Sequence, residues 1–153
     1  SMTSEMIKIY EKYQCSVIAI EEIPFTQIES YGVISGDLID GTNNTYRVTN
    51  MIEKPNSHNL IELMGNRVNL NKVPSFMGII GRYILTPDIF DILKKIKPGK
   101  NEEIQITDAL LSQTKKGKVI AYKFKGKRFD CGSVKGYLKA TNHFAKAQGI
   151  NNI

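Results

Sequence analysis

A short, uninterrupted apolar run, Ser16-Val17-Ile18-Ala19-Ile20, places the tightest constraint on the fold of this chain. It follows a segment in which Met6, Tyr10 and Tyr13 repeat at helical spacing, which predicts that a helix leads into it. A run of this length without polar alternation is typical of a strand buried on both faces, as in a parallel sheet. A helix followed by a buried strand is the beginning of an α/β pattern.

The alternation of helices and strands continues along the rest of the chain. Residues 31–39 and 46–52 form two alternating apolar and polar runs around a turn-forming stretch at 40–44, which predicts a β-hairpin. The other predicted elements are strands at 76–85, 118–124 and 128–130, helices at 59–64, 89–96 and 109–116, and a last helix from Ser133. The sequence therefore predicts an α/β fold with at least one antiparallel hairpin added.

Size and composition fit one globular domain. The chain has 153 residues, of which 41% are hydrophobic and 24% are charged, and we assign residues 2–153 to a single domain. It has no apolar run long enough to cross a bilayer. Two isolated cysteines, Cys15 and Cys131, make neither a disulfide framework nor a metal box, and we expect a cytoplasmic protein.

The net charge of +6 has two interpretations. A basic protein can bind nucleic acid, but this chain lacks a recognised nucleic-acid motif. Its densest basic stretch, residues 115–128, alternates with apolar residues such as Val119 and Ala121, which is typical of a strand with lysines at its ends and outer face. We therefore favour lysines spread over a solvated surface, with nucleic-acid binding as the lesser alternative.

Three residues near the predicted hairpin have a chemistry suited to a phosphorylated sugar. Glu53 and Lys54 stand at the end of a strand, where a carboxylate can accept hydrogen bonds from hydroxyl groups and an ammonium can neutralise a phosphate. Gly32, at the start of the hairpin, permits close approach of a ligand to the main chain. Each residue alone is equally compatible with a surface ion pair or a turn glycine.

Asp130 stands where a predicted strand hands over to the last helix, and ligands of α/β sheets collect at such strand ends. Its carboxylate is a candidate Mg²⁺ ligand, and a simple helix cap is the alternative. The two histidines, His58 and His143, have no partner at a recognisable spacing, so the sequence carries neither a catalytic triad nor a zinc signature.

Several short segments are more specific in combination and order than any one of them. They are Tyr10-Glu11-Lys12-Tyr13, Tyr31-Gly32-Val33, Ile52-Glu53-Lys54-Pro55, Gly81-Arg82-Tyr83-Ile84-Leu85, Glu103-Ile104-Gln105-Ile106-Thr107-Asp108, Arg128-Phe129-Asp130-Cys131-Gly132 and Gly136-Tyr137-Leu138-Lys139-Ala140. With them the chain resembles the C-terminal portion of the bacterial UTP–glucose-1-phosphate uridylyltransferases, or UDP-glucose pyrophosphorylases. The form of the segment at 128–132 resembles the uridylyl enzymes more than the related thymidylyl enzymes.

The resemblance implies a truncated nucleotide-diphospho-sugar transferase fold, with a Rossmann-like mixed sheet and the added hairpin. It also implies roles for the matching positions. Gly32 would touch glucose through its backbone, Glu53 would hold glucose hydroxyls, and Lys54 would contact the phosphate of glucose 1-phosphate. Asp130 would be one of two aspartates that bind Mg²⁺, so that Lys54 and Asp130 serve catalysis in an enzyme that makes UDP-glucose and pyrophosphate from UTP and glucose 1-phosphate.

The chain departs from this family in one large respect. The Gly-rich loop, the uridine pocket and the other metal aspartate belong to an N-terminal part of the family that these residues do not include. The resemblance therefore implies the sugar-phosphate-binding half, and we expect the isolated chain to be inactive. We also expect the truncated sheet to expose an edge that promotes self-association. The alternatives are a non-enzymatic remnant and a split-gene subunit that needs a separate N-terminal chain.

Overall fold

The computed structural model describes residues 1–56, 58–60, 75–97 and 104–150. Its strands are β1 (Ser16–Ile23), β2 (Gly32–Leu38), β3 (Thr45–Glu53), β4 (Phe76–Ile84) and β5 (Val119–Lys123). Its helices are α1 (Met2–Tyr13), α2 (Ile89–Leu93), α3 (Ile106–Thr114) and α4 (Val134–Ala147), with a 3₁₀-helix at Phe25–Ser30. Residues 58–60 are helical as well, while Glu103 and most of the helix predicted at 59–64 lie outside the described residues.

The strands form one mixed sheet in the order β1-β4-β2-β3-β5, which closes into a barrel. β1 runs parallel to β5 and antiparallel to β4, and β2 and β3 form the predicted antiparallel hairpin. The prediction of an α/β fold with a mixed sheet and an added hairpin is confirmed. The apolar run at the start of β1 indicated burial on both faces, and it did not reveal that only one of its two neighbours is parallel.

The exposed sheet edge expected from the sequence is absent among the strands that the structure describes. β3 pairs with β5 through Thr45 and Tyr122, and through Tyr46 and Ala121, so that each described strand has a neighbour on both sides. A closed sheet offers no unpaired row of backbone groups to another chain. The expectation of an edge is therefore wrong for these strands, and self-association loses the physical reason given for it.

β1 is the centre of the core. Ile18 and Ile20 pack into a cluster that includes Ile89 of α2 and Leu110 of α3, whereas Val17 and Ala19 pack with α1. All four β1 side chains are fully buried, as the apolar run predicted. Since successive side chains of a strand point to opposite faces, this arrangement places helices on both sides of β1.

A buried polar network ties α2 and α3 to β1. The hydroxyl of Ser16 donates to Oε1 of Gln113 at 2.7 Å, and the Gln113 amide donates to Oγ1 of Thr86 at 2.8 Å and to Oδ1 of Asp88 at 3.0 Å. Ser16 and Gln113 have no solvent exposure, so these bonds take the place of hydration. The Thr86 hydroxyl, helped by Gln113, keeps the pKa of Asp88 below its ordinary value despite the opposing effect of burial.

The last helix begins where the sequence predicted, because Oγ of Ser133 accepts a hydrogen bond from the backbone N–H of Gly136 at 3.1 Å. The short strand predicted at 128–130 is wrong: these residues form no regular structure. The side chain of Arg128 holds this segment in place instead, through contacts described below. None of the helices in the described ranges is both long and apolar enough to cross a membrane.

Candidate functional site

The hairpin register brings two of the predicted site residues together. Gly32 is the first residue of β2 and Glu53 the last residue of β3, and they are direct partners across the antiparallel pair. A Cβ built on Gly32 would lie 3.0 Å from Oε2 of Glu53 and 3.1 Å from Cδ1 of Ile79. Gly32 is buried, and its missing side chain lets the Glu53 carboxylate and Ile79 pack directly against its backbone.

The Glu53 carboxylate has a further partner that sequence analysis did not assign. Oγ1 of Thr107, at the start of α3, donates a hydrogen bond to Oε2 of Glu53 at 2.6 Å. Thr107 is only 4% exposed, and Glu53 is half-buried. The pKa of Tyr83, in β4, is raised, mainly by burial and secondly by the negative charge of the same Glu53 carboxylate.

Lys54 follows Glu53 directly and has a left-handed backbone, with φ of 44°. A residue with a side chain adopts this conformation at a cost of about 1–2 kcal/mol, so the surrounding structure must hold it there. One such tie is visible, since the backbone N–H of Lys54 donates to the carbonyl oxygen of Tyr31 at 3.0 Å. The Lys54 side chain is exposed, and its ammonium can meet a ligand from solvent.

Arg128 connects this region to the segment that carries Asp130. Its guanidinium pairs with the Glu21 carboxylate, with 2.7 Å from Nε to Oε1, and also donates to the hydroxyl of Tyr31. The Glu21 carboxylate is the main cause of the raised pKa of Arg128. Because Tyr31 precedes Gly32, Arg128 anchors the 128–132 segment beside the start of β2. The sequence alone indicated no role for Arg128, which was noted only as a member of the segment at 128–132.

Asp130 is exposed, and Oδ1 accepts a hydrogen bond from the backbone N–H of Gly132 at 2.9 Å. This contact is a local turn ahead of α4, whose N-cap is Ser133, so the helix cap that the sequence left open as the alternative role of Asp130 is wrong. No hydrogen bond joins Asp130 to Gly32 or Glu53 within the described parts of the chain. The structure thus brings Gly32, Glu53 and Lys54 together and places Asp130 on a separate segment, which Arg128 holds nearby.

Magnesium is the metal that the family resemblance implies. Proteins hold Mg²⁺ with one or two carboxylates together with phosphate oxygens. The second carboxylate oxygen of Asp130 has no hydrogen bond to the residues that the structure describes, and such a donor fits one position around the ion. No group of three or more His, Cys, Asp or Glu side chains converges in the described ranges, so this chain supplies at most part of a metal site there.

The two histidines have the locations expected of residues outside a catalytic site. His143 is exposed on α4, and its ring packs against Phe129 with the centroids 5.0 Å apart. His58 is exposed as well. Cys15 is buried and Cys131 exposed, and both are free thiols.

Thr107 and Tyr83 both belong to motifs quoted from the sequence, yet their relation to Glu53 could not be inferred there. Thr107 is 54 positions away from Glu53, and it reaches the carboxylate only because α3 packs against β3. Chain spacing predicts contacts within one element, and contacts between elements depend on how those elements pack. An acceptor carboxylate, a fixed hydroxyl donor and an exposed ammonium are together suited to a ligand with both hydroxyl and phosphate groups.

Comparison with known proteins identifies relatives over nearly the whole chain. Residues 3–147 match the Nucleotidyl transferase family. A UTP–glucose-1-phosphate uridylyltransferase of Pseudomonas aeruginosa is 49% identical over 142 residues, which make up 93% of this chain and 46% of that protein. An enzyme of the same name from Streptococcus pyogenes is 36% identical over 146 residues, or 94% of this chain and 43% of that protein.

Solved structures show the same similarity. A UDP-glucose pyrophosphorylase in its apo form aligns with a TM-score of 0.76 and 49% identity, and a structure of a UDP-glucose pyrophosphorylase complexed with UDP-glucose aligns with a TM-score of 0.75. The UTP-bound enzyme of Acinetobacter baumannii has a TM-score of 0.69 at 29% identity. These alignments cover 94% of this chain and 44–48% of the other chains, so the chain spans about half the length of the relatives it matches.

Proposed function

Because the chain belongs to the nucleotidyl transferase family, we propose that it is the part of a UTP–glucose-1-phosphate uridylyltransferase that binds glucose 1-phosphate. The observation that carries the proposal is the juxtaposition of Gly32, Glu53 and Lys54 at one end of the hairpin. In this proposal the UTP is held by the portion of the enzyme that the relatives have beyond the matched half. The free thiols of Cys15 and Cys131 support a cytoplasmic location.

The proposed reaction is the transfer of a uridylyl group to glucose 1-phosphate. An oxygen of the sugar phosphate forms a bond to the α-phosphorus of UTP, and the bond between that phosphorus and the oxygen bridging to the β-phosphorus breaks, so that pyrophosphate leaves with the electron pair. Such a transfer needs in-line positioning and charge neutralisation more than covalent help. Glu53 orients the sugar by accepting hydrogen bonds from its hydroxyls, and the Lys54 ammonium neutralises part of the phosphate charge.

Asp130 is proposed as one magnesium ligand of the complete enzyme. When bound, Mg²⁺ would neutralise charge on the phosphate oxygens. The part played by this chain is to hold Asp130 in place, through the turn to Gly132 and through the contacts that Arg128 makes with Glu21 and Tyr31. With its exposed carboxylate near the start of β2, Asp130 is accessible to an ion carried by the substrates.

Titration calorimetry with glucose 1-phosphate tests the proposed function. We expect the chain to bind this ligand, Glu53→Gln to weaken binding about tenfold through loss of charge-assisted hydrogen bonds, and Lys54→Met to weaken it by a similar factor. The matched controls are Glu29→Gln and Lys115→Met, because both residues are exposed and lie outside the site. Equal affinity of the site and control variants, or no binding by the unaltered chain, would contradict the proposal.

A further inference from the structure

Oε2 of Glu53 is the point on which two independent features of the site converge. A Cβ on Gly32 would lie only 3.0 Å from this oxygen, a contact that glycine avoids, and the same oxygen accepts the 2.6 Å hydrogen bond from Thr107. From this convergence we infer that Thr107 is a positioning residue, which fixes the Glu53 carboxylate in the orientation that receives a sugar hydroxyl. The inference rests on the proposed function, because it concerns the same site.

Nothing in the local structure of α3 requires the Thr107 hydroxyl. The N-cap of α3 is Gln105, with no side-chain capping bond, and Thr107 is the second residue of the helix. The hydroxyl of Thr107 donates its hydrogen bond out of the helix, to Glu53 of β3, and not to the backbone of α3. Thr114, at the other end of the same helix, instead donates within the helix, to the carbonyl oxygen of Leu110 at 3.0 Å.

α3 is well placed to serve as a rigid support. Its far end is fixed by Gln113, which is fully buried and bonded to Ser16, Thr86 and Asp88. Its near end presents Thr107, itself 4% exposed, to the end of β3. A donor on an element held in this way leaves little freedom to the group that it bonds.

Thr107 favours ligand binding because it orders the Glu53 side chain before the ligand arrives. A glutamate side chain loses rotamer freedom when it becomes ordered, and this loss of entropy opposes binding. If Thr107 already holds Oε2, binding of the sugar does not have to order the carboxylate again. The bond also leaves acceptor capacity, because an ionised carboxylate has about four lone-pair sites and Thr107 occupies one.

The test compares variants of two buried threonines on the same helix. Thr107→Val removes the hydroxyl at nearly constant volume, and we expect it to weaken glucose 1-phosphate binding about tenfold by calorimetry. Thr107→Ser retains the hydroxyl, and we expect affinity within about twofold of the unaltered chain. Thr114→Val is the matched control, because Thr114 is 5% exposed and its hydroxyl donates to Leu110 of its own helix, so affinity should not change. Thermal unfolding of each variant shows whether it is folded.

A second measurement does not depend on ligand. Side-chain scalar couplings of Glu53 by NMR should report one dominant rotamer in the unaltered chain and in Thr107→Ser, and averaging between rotamers in Thr107→Val. If the chain does not bind glucose 1-phosphate but the rotamer of Glu53 follows the Thr107 hydroxyl, the proposed function fails and the positioning role stands. A single Glu53 rotamer in folded Thr107→Val, or unchanged affinity in that variant, would overturn the positioning role.

Discussion

At the scale of single residues, the candidate site depends on backbone geometry as much as on side-chain chemistry. Gly32 lets the Glu53 carboxylate pack against its backbone, and Lys54 adopts a left-handed conformation that glycine would accept without strain. Gln14 has a similar conformation, with φ of 51°, at the C-terminal end of α1, where no role in ligand binding is proposed.

Replacing each of these two residues by glycine separates strain from function. We expect Lys54→Gly and Gln14→Gly each to raise the free energy of unfolding by roughly 0.5 kcal/mol, which is the difference between the strain relieved and the extra freedom gained by the unfolded chain. Only Lys54→Gly should lose affinity for glucose 1-phosphate. Urea denaturation and calorimetry measure the two effects, and the role of Lys54 is refuted if Lys54→Gly binds as the unaltered chain does.

At the scale of secondary-structure elements, α2 and α3 depend on the polar network around Gln113 for their attachment to β1. Asp88 contributes to it as a charged acceptor whose pKa is lowered, with the hydrogen bond from Thr86 as the largest cause. A carboxylate with a lowered pKa contributes stability above its unfolded-state pKa, near 3.8, and this contribution is lost as the pH falls below that value. The network therefore makes the attachment of these helices sensitive to acid.

Asp88→Asn tests this dependence on pH. Asparagine keeps an acceptor oxygen for Thr86 and removes the titration, so the variant should be less stable at neutral pH and should lose less stability between about pH 5 and pH 2. Urea midpoints over that range measure the effect. Asp91→Asn is the control, because Asp91 is exposed on α2 and forms a weak surface pair with Lys94 at 3.7 Å. Identical acid profiles for Asp88→Asn and the unaltered chain would exclude this role for Asp88.

How well the elements could be predicted depends on the range of the interactions that form them. β1, the hairpin and the start of α4 follow from local patterns: an apolar run, a turn between alternating segments, and Ser133 as a cap. The segment at 128–130 has a strand-like composition, yet side-chain contacts of Arg128 hold it. The contact between Thr107 and Glu53 was not predictable for the same reason, because it exists only when two distant elements pack.

At the scale of the whole molecule, the family resemblance gave the correct fold class and could not give the closure of the sheet. Closure depends on pairing between β3 and β5, which lie far apart in the chain. The closed barrel also bears on function, because it allows the described strands to form a complete sheet of their own. A chain that spans about half the length of its relatives can thus keep the ends of β2 and β3 together.

A site for one substrate does not make a complete enzyme. We expect this chain, supplied with UTP, glucose 1-phosphate and Mg²⁺, to release no pyrophosphate above background, because glucose 1-phosphate is the only substrate for which we propose a site here. An enzyme-coupled pyrophosphate assay measures this, with a full-length relative as the positive control. Turnover comparable with that of the relative would show that the chain also holds the nucleotide.

The parallel pairing of β1 with β5 has a consequence for folding kinetics. Ser16 pairs with Val119, so this pairing joins residues about a hundred positions apart. The loop entropy of that contact must be lost before the new contacts repay it, and chains dominated by such distant contacts fold slowly. As long as β5 is unpaired, one side of β1 has no partner, so we expect the folding chain to expose a strand edge that the native sheet closes.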